Sequence, residues 1–486
     1  MICKAIQSNT HLRFPTRFDN GDDNIRSSIV GFAADKLLGP SGNIARLDPD
    51  ESLACLAVRL GLDFKATAWF EKVAEHTQVE HHMRLYLDAT EDFRTTTTIP
   101  PSEPLLAEAS RMIMGTSLGK RKAPEALLMH INESHISAGD RGELIAALLL
   151  TLTRDSATRN RKTPIHHGQL PEGVPLTKYD GTIEGRIVTV LEFAEALVPS
   201  EHHYVVRTLM PALCSQGHFA AIDLARAFGD AYIYFNHFIK VYDFQMVSRK
   251  YLWRIICRGA AVICANNQHG VDIIIPVIMG TILQPRFVTA IFVQVKNDGR
   301  RTDSVDSSFF TVMDPFKIGL FSEDDAKDAA AVPPVLRIVL ALPSEKSSVG
   351  APDPPIPGGS PAAETPVGKF TAYDIWIAGV SEKSFGVIPD TSVRNQYKPL
   401  FDRTRNVFSG YGAPDRNGPG EVEKMRIECR RMMHAAAAPG YQHFQNYICN
   451  LAEAPVAHKD GDVRNVNVLG GKQSRKKEGR GRRQRG

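Results

Sequence analysis

Four short runs between Ala260 and Val380 constrain this chain most: VDIIIPV from Val271, TAIFVQV from Thr289, VLRIVLAL from Val335 and YDIWIAGV from Tyr373. Each is rich in β-branched residues, has the length of a strand, and is too short for a packed helix. They predict a sheet. A Pro, Gly, Ser and Ala-rich stretch over residues 343–368 divides the last two and reads as a flexible surface loop within one domain rather than as a boundary.

Upstream the period changes from two to three and four. LACLAVRLGL and LAEASRMIM repeat apolar residues at helical spacing, separated by the turn-like TTTTIPPSEP at 95–104, which places a helical region at 46–160. Its last helix starts with Asp140 as N-cap and Glu143 in capping-box position, followed by LIAALLLTL, a run apolar enough to be buried around most of its circumference. VTVLEFAEALV and AAIDLARAFGDAYIYFNHFI also read as helices that would cover the sheet. Residues 1–45 carry dispersed Gly, Asn, Asp and Pro and read as a poorly ordered lead-in. The sheet belongs to an α/β domain at 161–400. A C-terminal extension, 401–486, holds one amphipathic helix near 421–438 and ends in a disordered basic tail.

The tail is charged out of proportion to the rest. From residue 472 onward eight basic residues stand against one acid, giving +7, so with a total of +4 residues 1–471 carry −3. Lys472, Arg475, Lys476, Lys477, Arg480, Arg482, Arg483 and Arg485 suit sequence-independent phosphate contact or nuclear import, and equally a solvated terminus. Seven cysteines without a CxxC pair argue against a disulfide framework or zinc ribbon and favour a reducing compartment, nuclear or cytoplasmic. The first thirty residues lack an apolar core for a signal peptide, and no stretch predicts a membrane span.

One constellation carries chemistry. Hydrolysis of nucleic acid by a divalent metal needs a carboxylate and further oxygen ligands converging on the ion, with a lysine near the attacking water. GVDIIIPV followed by TAIFVQVKND supplies these groups if the two runs form an antiparallel hairpin, for which the intervening MGTILQPRF is long enough. Asp272 then lies at the start of one strand. Gln294 and Lys296 share one face of the other, two residues apart. A QxK at a solvated strand end, with Asp272 serving a turn after Gly270, explains the same residues without chemistry.

Gly270-Val271-Asp272 followed by Gln294-Val295-Lys296 resembles the core of the PD-(D/E)XK nuclease superfamily, in its glutamine-bearing variants. The wider text, RGELIAALLLTL, RGAAVICANNQHGVDIIIPV and YDIWIAGV, resembles over about residues 50–395 a family of basidiomycete fungal proteins. That family is similar in turn to the nuclease-like C-terminal domains of Crinkler-type effectors, which often follow a P-loop NTPase module. The resemblance implies a restriction-endonuclease-like mixed sheet flanked by helices. It also implies Mg or Mn held by Asp272, Gln294 and the Val295 carbonyl, with Lys296 orienting or activating water. Glu143 is the candidate for the superfamily's helix acid, a role its capping-box position explains equally well. Nucleic acid is the expected substrate, with an NTPase module acting in trans. A neutral glutamine where a carboxylate is usual weakens metal affinity. The alternative is therefore a catalytically inactive module that binds nucleic acid or a protein partner.

Overall fold

The runs VDIIIPV and TAIFVQV do pair. Ile273–Met279 and Val288–Lys296 form adjacent antiparallel strands whose ladder runs from Val288 opposite Ile278 to Val293 opposite Ile273. A computed structural model of the chain describes residues 23–402, interrupted at 40–46, 63, 67–68, 90–95, 116–118, 133–140, 161–186, 215–221, 266–267, 281, 283, 298–304, 328–331 and 353–368.

In chain order the helices of the N-terminal half are α1 (Asp23–Leu38), α2 (Pro49–Leu60), α3 (Trp69–His81), α4 (Pro104–Ile113), α5 (Gly119–Asn132) and α6 (Arg141–Asn160). Among them lies a small antiparallel sheet of β1 (Phe64–Ala66), β2 (Leu85–Ala89) and β3 (Thr96–Ile99), in the order β1-β3-β2. Two expectations are corrected here. Residues 23–38, assigned to a poorly ordered lead-in, form α1, whose Ala33, Ala34, Leu37 and Leu38 are buried. Thr96–Ile99, within the TTTTIPPSEP segment read as a turn, form the central strand β3, as β-branched threonines allow.

The large sheet comprises β4 (Val188–Thr189), β5 (Leu213–Cys214), β6 (Ala231–Ile233), β7 (His237–Lys240), β8 (Ala260–Ile263), β9 (Ile273–Met279), β10 (Val288–Lys296), β11 (Val335–Ala341), β12 (Ser348–Gly350) and β13 (Thr371–Ala378). Its main path is β12-β13-β11-β10-β9-β6-β4. β10, β11 and β13 are parallel, β9 and β12 antiparallel to their neighbours, so the sheet is mixed. One edge of β9 is shared: β8 takes Ile273 and Ile274, and β6 takes Val277 to Met279. Pro276, with no N–H to give, stands between those two ladders. The strands β6 and β7 correct the helical reading of AYIYFNHFI, whose aromatic and β-branched residues fit a pleated surface better than a helix. Ser348–Gly350, inside the segment read as a flexible loop, is the edge strand β12.

Helices cover both faces. The remaining ones used below are α7 (Val190–Leu197), α8 (Arg249–Cys257), α9 (Ser308–Thr311), α10 (Glu323–Lys327) and α11 (Thr391–Asp402). One face of the sheet, with Ile273, Ile291, Val293, Ile338 and Ile375, shares a single apolar core with α2, α4, α6, α7 and α11. The helical segment 46–160 is therefore packed on the sheet rather than set apart from it. α6 is buried from Ile145 to Leu150, as its unbroken apolar run requires. Burial alone would raise the Asp155 carboxyl of α6, but Arg59 of α2 and Arg154 outweigh it and hold that group below the usual carboxylate range. Arg59 reaches Asp155 at 2.9 Å and also donates to the Asn236 carbonyl, tying two helices to the β6–β7 connection.

The opposite face packs Phe292, Val339, Trp376 and Ile274 against α8 and the segment Phe309–Phe321. Here Arg337 of β11 stands opposite Asp374 of β13 and donates to both carboxylate oxygens at 2.6 Å, while its Nη1 donates to the Phe310 carbonyl of α9 at 2.7 Å. Burial raises the Asp374 carboxyl, and Arg337 works against it. Such a pair contributes little beyond an apolar substitute when intact but leaves a costly lone charge when halved. Asp374→Ala is expected to destabilise the fold by about 3–5 kcal/mol in denaturant titration, and the double variant Arg337→Met/Asp374→Leu by much less.

Candidate metal site at the end of the β9–β10 hairpin

The ladder of β9 and β10 ends at Ile273 and Val293, and Asp272 and Gln294 stand one residue beyond it on each strand. Three hydrogen bonds pin the entry to β9, two of them between backbone groups. The Asp272 N–H donates to the Val293 carbonyl at 3.0 Å, and the Asp272 carbonyl accepts from Cys264 N–H at 2.8 Å. The third runs through the side chain: Asp272 Oδ2 accepts from Val295 N–H at 2.6 Å. Gly270, two residues before Asp272, lets the chain pass close to Val312. Its φ of +83° lies in the left-handed region, and a Cβ there would stand 2.2 Å from the Val312 carbonyl oxygen.

The sequence places Asp272, Gln294 and Lys296 together, and so does the fold. Alternation along β10 puts Gln294 and Lys296 on the face of Phe292, the face that packs against Phe309, while Val293 and Val295 pack on the opposite core. Val295 contributes backbone only. Its N–H points at Asp272, and in an extended strand the carbonyl of the same residue points the same way, so that oxygen opens toward the place where β9 has already ended.

Two amide oxygens in this corner lack a hydrogen-bond partner among the described residues. Gln294 is buried at 6% exposure, and its Oε1 has no hydrogen-bond partner among the described residues. An orphaned buried carbonyl oxygen costs about 1–3 kcal/mol. Burial pushes the Asp272 carboxyl above its ordinary range, and the Val295 N–H and the Lys296 charge offset this only in part. Gln268, on the loop entering Gly270, also has a buried Oε1 with no such partner among the described residues. Lys296 holds its Nζ 4.4 Å from the centre of the Phe309 ring.

Glu143 approaches from the other side of the sheet. The start of α6 abuts the end of β10 so closely that a Cβ on Gly142 would lie 3.0 Å from Cβ of Asn297, the residue after Lys296. The thiol of Cys264, at the end of β8, is pushed well up by burial first and then by the charges of Asp272 and Glu143. Both carboxylates thus lie near one buried side chain, although more than a hundred residues separate them in sequence. Asp140, the expected N-cap, lies outside the described residues, as do the basic residues from Lys472 to Arg485.

Among the described residues no three His, Cys, Asp or Glu side chains are grouped to hold a metal. The donors at this corner are instead two carboxylates, an amide oxygen and a main-chain carbonyl. This all-oxygen set suits a hard divalent cation such as Mg2+ or Mn2+. Gln294 Oε1, with no hydrogen bond to spend, fits that role. Two residues here carry no signal in the sequence: Cys264 ends an ordinary apolar run, and Phe309 belongs to a short SSFF segment whose place over β10 depends on the chain returning from β10 to β11.

The raised Asp272 carboxyl fixes a sign. A group whose folded pKa exceeds its unfolded value favours the fold below the unfolded pKa, and that contribution is lost as pH rises through the folded pKa. In metal-free buffer Asp272→Asn is therefore expected to stabilise the fold at pH 7, and the gain should vanish toward pH 3–4, near the unfolded carboxylate value of about 3.9; thermal melts in chelator across this range check it. Among the described residues no helix is long and apolar enough to cross a membrane. No protein-family model, curated protein or solved structure matches this chain, so the site rests on its own geometry.

Proposed function

We propose that the chain is a metal-dependent nuclease-like protein, built on a restriction-endonuclease-like core, that hydrolyses phosphodiester bonds of nucleic acid. The observation that carries this reading is the buried Gln294 Oε1, without a hydrogen-bond partner among the described residues, beside Asp272 at the open end of the hairpin. Asp272 Oδ1, Gln294 Oε1 and the Val295 carbonyl are the ligands this chain offers to Mg2+ or Mn2+, with Glu143 completing the set from α6. When bound, the ion supplies Lewis-acid charge to the phosphoryl group and the attacking water.

The remaining work belongs to the chain. The Val295 N–H holds one carboxylate oxygen of Asp272, and the other would serve as a ligand. Lys296, a cation two residues along the same strand face, stabilises negative charge developing on the phosphate oxygens. The basic residues from Lys472 to Arg485 would add phosphate contacts without reading sequence, and an NTPase module acting in trans would deliver substrate.

A second reading is favoured by one specific feature, the neutral Gln294. With a carboxylate fewer than the superfamily's usual complement, the ion is held less tightly, and a module that binds nucleic acid without cutting it keeps the same scaffold. The two readings part on metal-dependent cleavage. Purified protein is expected to cut supercoiled plasmid or single-stranded RNA with Mg2+ or Mn2+, and Asp272→Ala and Lys296→Ala to lose about a hundredfold or more. Gln294→Glu, which restores the missing charge, should tighten metal binding by roughly tenfold in calorimetric titration. Wild-type protein that binds nucleic acid and cuts no faster than both variants would establish the non-cutting module instead.

A further inference from the structure

Lys296 does not extend freely from its strand end. Its ammonium lies over the face of Phe309 with Nζ 4.4 Å from the ring centre, within the range of a cation–π contact. The ring is itself fixed. It stacks on Trp376 with centroids 6.2 Å apart and planes 20° from parallel, and it is buried at 8% exposure. The backbone carrying it is anchored one residue further on, where the Phe310 carbonyl accepts from Arg337 Nη1 at 2.7 Å, and Arg337 is clamped in turn by Asp374.

The sheet beneath is shaped for this. In register, Gln294, Val339 and Trp376 form one row across β10, β11 and β13, and Lys296, Ala341 and Ala378 form the next. The second row thus sets two small residues beside the lysine, and Ala341 and Ala378 line the same core as Phe309. A bulky side chain at either position would compete with the ring for that space.

We propose that Phe309 is a positioning residue for Lys296, its ring face holding the ammonium beside Asp272 and Gln294 at the end of β10. This rests on the reading of Lys296 as the charge-stabilising group. A four-carbon side chain has many rotamers, and each misplaced one removes charge from the reacting phosphate. The aromatic face adds a restraint on the lysine while leaving its charge in place. In this role Phe309 acts through Lys296.

The test has a readout that needs no activity. In protein labelled with 13C-lysine, a ring face at this distance shifts the ε-methylene protons of Lys296 upfield, the signal being assigned by its loss in Lys296→Arg. The shift is expected in wild type and in Phe309→Tyr, and its loss in Phe309→Leu, which keeps apolar bulk in the core. In cleavage assays Phe309→Leu should lower kcat by about tenfold with KM for nucleic acid unchanged, and Phe309→Tyr should retain most of the rate. An unshifted Lys296 signal in wild type overturns the inference whether or not the protein cuts, as does a Phe309→Leu variant that cuts at the wild-type rate. A shifted signal in a wild type that cuts nothing removes the nuclease reading and leaves the placement of Lys296 by Phe309 supported.

Discussion

The pairing of β9 with β10 is the constraint on which the rest of this structure depends. Because strand side chains alternate, slipping the hairpin by one residue would turn Asp272 or the Gln294–Lys296 pair to the other face and invert every core contact of both strands. The register is fixed from both sides. Ile273, Ile275, Ile291 and Val293 fill one core and Ile274, Ile278, Ala290 and Phe292 the other. Beyond the ladder, the Asp272 carboxylate takes the Val295 N–H that a continuing strand would have taken with its backbone. The side chain thus ends the strand pairing, and the same group is the carboxylate proposed as a metal ligand.

Around this hairpin the two faces do different work. The first is covered by α2, α4, α6 and α11 and brings Glu143 to the end of β10 through the close approach of Gly142 to Asn297. The second is covered by α8 and the Phe309–Phe321 segment, and its buried Arg337–Asp374 pair fixes the backbone of α9 over the sheet. Both layers converge on the C-terminal end of β10. That end lies level with the ends of β11 and β13, since Lys296 is in register with Ala341 and Ala378. In open parallel sheets this is where ligands bind, in the crevice beyond the carboxyl ends of strands. A corner holding a raised carboxyl, two buried amide oxygens without a hydrogen-bond partner among the described residues and an ammonium held over a ring is costly to the fold, and perturbed groups of this kind cluster at functional sites.

The hairpin was legible because its signals are local. Two β-branched runs of strand length separated by a turn fix both partners, and a spacing of two puts Gln294 and Lys296 on one face. Two further strands of the sheet, β11 and β13, were legible from the same texture at Val335 and Tyr373. What escaped the sequence depends on packing between distant segments. AYIYFNHFI has apolar residues at both helical and strand spacing, and only its pairing with β8 and β9 decides for strands. The threonines at 96–98 read as turn because Pro100 and Pro101 follow, yet they lie between β1 and β2. Phe309 is an ordinary aromatic until α9 is folded back over β10, and Cys264 is an ordinary apolar residue until two carboxylates from opposite ends of the domain approach it.

The claim at the centre of this account is that Asp272 and Gln294 converge on a divalent cation, and anomalous diffraction from crystals grown with Mn2+ tests it most directly. The account predicts an anomalous peak at the end of the β9–β10 hairpin, with Asp272 Oδ1, Gln294 Oε1 and the Val295 carbonyl at about 2.0–2.3 Å, the distance of oxygen to such ions. A saturating Mn2+ soak that leaves this corner empty, with Gln294 Oε1 turned to a protein donor, would contradict it.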